Sequence, residues 1–103
     1  MDAQLKRGVI EACVLKLLSR GDSYGYELSR DAAQVLVLSE STLYPVLKRL
    51  ESAGQVESYT REHSGRLRRY YHITDKGRLA IEDFLLEWGE LSKVYDFIRE
   101  GIA

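Results

Sequence analysis

The sequence predicts a mainly α fold with a small β-hairpin: three helices, then the hairpin, then a long closing helix. Three observations predict it. Apolar residues recur at helical spacing in the first half and again in the last quarter of the chain. Residues 56–61 and 68–73 are instead rich in Val, Tyr, Thr and Ile, and the turn-like His63-Ser64-Gly65-Arg66 separates them. The 103 residues suit one domain, short enough that a partner chain would add usefully to its burial.

The first helix covers residues 5–18. Leu5, Val9, Ile10, Ala12, Cys13, Val14, Leu17 and Leu18 give it an apolar face too wide for burial on one side only. Gly21-Asp22 ends it. Ser23 is expected to be the N-cap of a short second helix reaching Ala33, with Leu28 and Ala32 one turn apart. The run VLVL at 35–38 is either a strand stub or a core plug. A third helix runs from Ser39 or Thr42 to Ala53, where Gly54 stops it. Its inward stripe is Leu43, Val46, Leu47 and Leu50; Ser41, Tyr44, Pro45, Lys48 and Ser52 lie opposite. A start at Ser39 puts Pro45 in the second turn, where proline kinks a helix, and a start near Thr42 puts it harmlessly in the first. Both remain open.

In the hairpin, Tyr71 and Ile73 share the strand face expected to pack inward, and Tyr70 and His72 share the outward face. Thr74 caps the closing helix, with Asp75 in its first turn. Along that helix Ile81, Phe84, Trp88, Leu91, Tyr95, Ile98 and Ile102 alternate spacings of three and four, a heptad seam.

Net charge is −1, unevenly spread. Residues 39–76 carry seven basic against five acidic side chains, whereas residues 77–103 carry three against six. Local patches rather than totals attract phosphate. No apolar run approaches a membrane span, and the N-terminus does not read as a signal peptide. A single cysteine, Cys13, rules out an internal disulfide and reads as a small core residue. His63 and His72 lack partners at metal-ligand spacing, acidic neighbours such as Glu82-Asp83 do not face each other, and no glycine-rich phosphate loop occurs. The expectation is a cytoplasmic non-enzyme without cofactor or metal.

Helices two and three, tightly joined, make a helix-turn-helix, and the hairpin is its wing. A helix that enters the major groove needs one apolar face to hold it and one polar face to read with; the third helix has both. A wing needs cations to reach phosphate or the minor groove, and Arg61, His63, Arg66, Arg68 and Arg69 supply them. The expected organisation is a winged helix-turn-helix over 1–73 and a dimerisation helix over 74–103, packed with the partner's first helix as one compact unit. Ile81, Phe84, Trp88, Leu91, Tyr95 and Ile98 are the dimerisation residues.

SYGYEL at 23–28, SESTLYPVLKRLESAGQVES at 39–58 and GRLRRYYHITDKGR at 65–78, followed by the long helix, resemble the PadR family of bacterial transcriptional regulators, in its compact branch with one C-terminal helix. The stretch DAAQVLVLSE is shorter than the family pattern, which leaves the end of helix two open. The resemblance implies a dimeric repressor on an inverted-repeat operator, released by a small effector and acting in the bacterial cytoplasm at the nucleoid. It carries over Ser41, Thr42, Tyr44, Pro45, Lys48 and Arg49 as recognition positions and Arg66, Arg68, Arg69 and Tyr70 as wing positions. It also implies a planar aromatic effector near Trp88; the plainer role for Trp88 is to fill the dimer seam. The alternative function is a protein-interaction module on a winged helix that no longer binds DNA. RNA is disfavoured, because the deep groove of A-form duplexes excludes a reading helix.

Overall fold

The computed structural model describes residues 3–36 and 38–102. In chain order the elements are α1 (Ala3–Ser19), β1 (Ser23–Tyr24), α2 (Gly25–Ala32), α3 (Glu40–Ser52), β2 (Val56–His63), β3 (Arg66–Ile73) and α4 (Asp75–Arg99). The three strands form an antiparallel sheet in the order β1-β3-β2.

The apolar stripes of the first three helices meet the inner face of this sheet. Ile10, Val14, Leu15 and Leu18 of α1, Leu28 and Ala32 of α2, and Leu43, Val46, Leu47 and Leu50 of α3 are buried with Val56, Tyr71 and Ile73. Each such leucine contributes roughly 1.5–3 kcal/mol by leaving water. The wide face of α1 divides: one side enters this core, while Val9, Ala12, Cys13 and Leu17 stay half-buried and Leu5 is exposed. Cys13 is therefore not a core residue. It lines a groove of about 980 Å³ between α1, α2 and the start of α4, and partial burial raises its thiol pKa.

Several local expectations are corrected. Ser23 does not cap α2, because it pairs as strand with Tyr71; Tyr24 holds the N-cap position without a side-chain hydrogen bond. The Ser23 hydroxyl instead donates to the Glu27 carboxylate at 2.8 Å. The 35–38 connector forms no strand among its described residues: Leu38 plugs the core, Leu36 packs on it, and Val35 is exposed. Val37, within the same stretch, lies outside the described residues. The third helix takes the early start, with Ser39 as N-cap accepting the Thr42 N–H. Pro45 thus stands inside the helix and has no N–H to offer the Ser41 carbonyl.

The hairpin strands run two residues further toward the tip than expected, to His63 and Arg66. Only Ser64 and Gly65 remain in the turn, both at positive φ (53° and 78°), the pattern of a two-residue turn whose twist matches the strands. Tyr70 is also corrected. It faces outward from the sheet, yet it is 7% exposed, because the rings of Tyr24 and Tyr59 and the Arg61 guanidinium cover it.

Thr74 caps α4 as expected, accepting the Gly77 N–H. The seam along α4 divides in two. Ile81 packs on the chain's own core and Phe84 is half-buried beside α1, whereas Trp88, Leu91, Tyr95, Ile98 and Ile102 are exposed. Among the described residues no helix is long and apolar enough to cross a membrane.

Candidate nucleic-acid interface

The face of α3 turned away from the core presents Ser41, Thr42, Tyr44, Pro45 and Lys48, all exposed. At its start, Ser39 Oγ lies 3.0 Å from Ser41 Oγ and 3.1 Å from Thr42 Oγ1, so three hydroxyls cluster on the first turn. The Tyr44 ring lies along the backbone of α2: a Cβ built on Gly25 would sit 2.6 Å from the Tyr44 hydroxyl oxygen. Lys48 has no ionic partner among the described residues. Its neighbour Arg49 does not share this face. Arg49 turns toward α1 and is ion-paired and hydrogen-bonded to Glu11, which ties α3 to the scaffold.

In the wing, strand alternation assigns roles to the cations. Arg69 shares the inner face with Tyr71; its guanidinium bonds Ser58 Oγ at 2.8 Å and pairs with Glu51 at 3.2 Å. Arg61, Arg68, His63 and Arg66 are on the outer face, cross-strand pairs of one register. There Arg68 lies 4.5 Å from the Tyr24 ring centroid and Arg61 lies 5.4 Å from that of Tyr70. His63 stands 5.8 Å from Tyr24, ring to ring. Stacking on a ring orients a guanidinium without neutralising it. Arg66, at the tip, has no ionic partner among the described residues.

The outer face is anchored at its base. The Tyr59 hydroxyl donates to Asp22 Oδ2 at 2.6 Å, and His72 Nδ1 lies 2.8 Å from Asp22 Oδ1. The Tyr59 hydrogen bond, aided by His72 and Arg61, holds the Asp22 carboxyl below its ordinary pKa, and the same bond raises that of the Tyr59 phenol. Burial raises the pKa of Tyr71.

Of the residues expected at the interface, Ser41, Thr42, Tyr44, Pro45 and Lys48 therefore share one exposed face, and Arg61, His63 and Arg66, all exposed, share the outer face of the wing with the half-buried Arg68. Arg49, Arg69 and Tyr70 are engaged within the protein. Sequence reasoning missed Tyr24, Tyr26, Tyr59 and Asp22. A signal existed for the first two: tyrosines two residues apart flank Gly25 in SYGYEL. None existed for Tyr59–Asp22, a contact across 37 residues.

Residues 14–83 match the Transcriptional regulator PadR-like family. The chain is similar to smu.1704 from Streptococcus mutans, with a TM-score of 0.79 and 42% identity over 94% of this chain and 92% of that one. It is similar to a PadR-like transcriptional regulator from Bacillus cereus, with a TM-score of 0.79 and 36% identity over 96% of this chain and 99% of that one. It also resembles Bacillus subtilis PadR, solved in complex with operator DNA, with a TM-score of 0.68 and 27% identity over 75% of this chain and 46% of that one.

Proposed function

The chain belongs to the PadR-like family of transcriptional regulators, and from that premise we propose that it is a dimeric, sequence-specific repressor that binds an inverted-repeat operator and is released by a small molecule. The observation that carries this reading is the pairing of two faces: the polar face of α3 with Lys48, and a hairpin wing with Arg66 at its tip, neither cation having an ionic partner among the described residues. One suits a major groove and the other the adjacent minor groove or its phosphates. The operator complex of the Bacillus subtilis relative supports it.

In this reading residues 1–73 bind DNA and residues 74–103 join two subunits. Trp88, Leu91, Tyr95 and Ile98 are 43–63% exposed in the single chain, a contiguous apolar surface of the kind a partner covers. The partner's α1 and α4 fill this role, with the half-buried Phe84 at the edge. Two reading helices related by a two-fold axis then meet half-sites about one helical turn, roughly 34 Å, apart. The effector site lies between subunits near Trp88, which stacks on Phe84 with centroids 5.8 Å apart. A planar neutral or cationic compound suits the indole and the acidic surplus of α4.

The test is selection of duplexes from a random pool by the purified protein, followed by a salt titration of the enriched sequence. The expected result is a dyad-symmetric motif and an affinity that falls log-linearly with salt. Enrichment without a dyad overturns the dimeric docking, and no enrichment overturns DNA recognition and favours an interaction module.

A further inference from the structure

A reading helix in a major groove and a wing in the neighbouring minor groove stand on either side of one sugar–phosphate strand. The space between them must therefore accept a backbone. Here that space is a cleft of about 500 Å³, walled by the start of α2, the start of α3 and the tip half of β3. The β3 wall is open because β1 pairs only with Tyr70 and Tyr71; from Arg66 to Arg69 the strand has β2 on one side and, among the described residues, no strand on the other.

The chemistry of the walls suits a phosphate diester. Arg66 has no ionic partner among the described residues. Arg68, seated on Tyr24, has a buried Nε without a hydrogen-bond partner among the described residues. Tyr26 and Tyr44, 57% and 48% exposed, bring their phenols to the same cleft. Glu40 is the opposing acid, and Arg69 adds little because Glu51 pairs with it. The Tyr44 hydroxyl lies against Gly25, where a Cβ would come within 2.6 Å of it.

We propose that this cleft seats one backbone phosphate of the strand between the two grooves, held by Arg66 and by the hydroxyls of Tyr26 and Tyr44. Arg68, positioned on Tyr24, supplies a second positive charge beside it. The assignment rests on the DNA-binding reading and deepens it: Tyr44, although on the reading helix, anchors the backbone and does not choose bases. Its contribution is then equal on operator and random duplexes.

The experiment uses the full chain and an enriched duplex, with a series carrying one neutral methylphosphonate at successive positions. The wild type should show one phosphate per half-site whose neutralisation lowers affinity about tenfold, the scale of a charge-assisted contact. In Arg66→Ala that penalty should vanish while penalties elsewhere persist, and the salt slope should fall by about one. Tyr44→Phe and Tyr26→Phe keep their rings and so their packing; each should lower affinity about three- to tenfold on enriched and random duplexes alike. Unchanged methylphosphonate profiles in all three variants overturn the cleft alone. A Tyr44→Phe protein that changes base preference and spares random duplexes makes Tyr44 a base reader and also overturns it. A wild type that binds no duplex overturns the DNA reading, and the cleft with it.

Discussion

The Thr74 hydroxyl donates to the Gly54 carbonyl at 2.7 Å while accepting the Gly77 N–H at 3.2 Å. One side chain thus caps α4 and ties it to the exit of α3. The Thr74 N–H adds a bond to the Gln55 carbonyl at 3.1 Å. The closing helix and α3 share this corner, so in the proposed dimer a tilt of α4 would have a short route to α3 as well as to the hairpin.

Gly77 makes the corner possible. A Cβ at this position would lie 2.2 Å from the Gln55 carbonyl oxygen and 2.7 Å from Ile73 Cγ1. Gly77→Ala should destabilise the fold by about 2–3 kcal/mol, as forced overpacking does. Thr74→Ala, which loses a cap and a tether, should cost about 1 kcal/mol. Urea unfolding checks both; a Gly77→Ala protein as stable as the wild type would mean that the corner yields.

The Asp22 cluster predicts a pH dependence of stability with a definite sign. A carboxyl whose folded pKa is lowered contributes stability that is present above its unfolded value, about 4, and is lost as pH falls through the folded value. Tyr59, whose folded pKa is raised, contributes stability present below about 10 and lost as pH rises through its folded value. Asp22→Asn should flatten the stability profile at both ends, by a small amount because the side chain is 35% exposed. Unfolding midpoints below pH 4 and above pH 10 decide this; parallel profiles of variant and wild type would place the dependence elsewhere.

Lys48 and Arg49 are adjacent but point apart, and their alanine variants should fail differently. Lys48→Ala should weaken DNA binding and leave thermal stability near that of the wild type. Arg49→Ala leaves Glu11 without its ion pair and should lower stability by about 1 kcal/mol. Its effect on DNA should follow from that loss and leave the salt slope unchanged. A slope reduced by about one in Arg49→Ala would place its charge on the DNA after all.

The helices were legible because their stripes are local: Leu43, Val46, Leu47 and Leu50 sit at helical spacing and are all buried. The hairpin was legible from its residue types and its Ser64-Gly65 turn. What escaped depended on contacts far apart in the chain. Ser23 reads as a cap until Tyr71, 48 residues later, pairs with it as strand. Tyr70 reads as exposed until Tyr24 arrives from β1 to cover it. Arg49 and Arg69 read as free cations in a basic stretch, and only the packing of α1 on α3, and of α3 on the wing, brings Glu11 and Glu51 to them. Pro45 had two consistent readings locally, and the Ser39 cap decides between them.

The exposed half of α4 should bring two chains together. Leu91→Asp with Tyr95→Asp places charges on its apolar surface and should give monomers or aggregates in sedimentation. A wild type that sediments as a monomer at micromolar concentration would remove the dimer, and the two-fold operator with it.

Trp88 is the one tryptophan of the chain, so its fluorescence reports on a single place. It is 43% exposed in the isolated subunit and stacked on Phe84, midway along the helix that the proposed dimer brings against its symmetry mate. A planar dye inserted there should quench the indole and, if cationic, gain from the nearby Glu87 and Glu90. To act as an effector it must also favour one spacing of the reading helices over another, because a ligand with equal affinity for both spacings moves nothing. The Thr74–Gly54 tether offers the route from a tilt at Trp88 to α3. Titration of wild type by indole quenching, and of Trp88→Ala by dye emission, should show binding only in the former, and saturating dye should lower affinity for the enriched duplex. Dye that binds Trp88→Ala equally well, or that binds the wild type without changing DNA affinity, would leave Trp88 as seam packing alone.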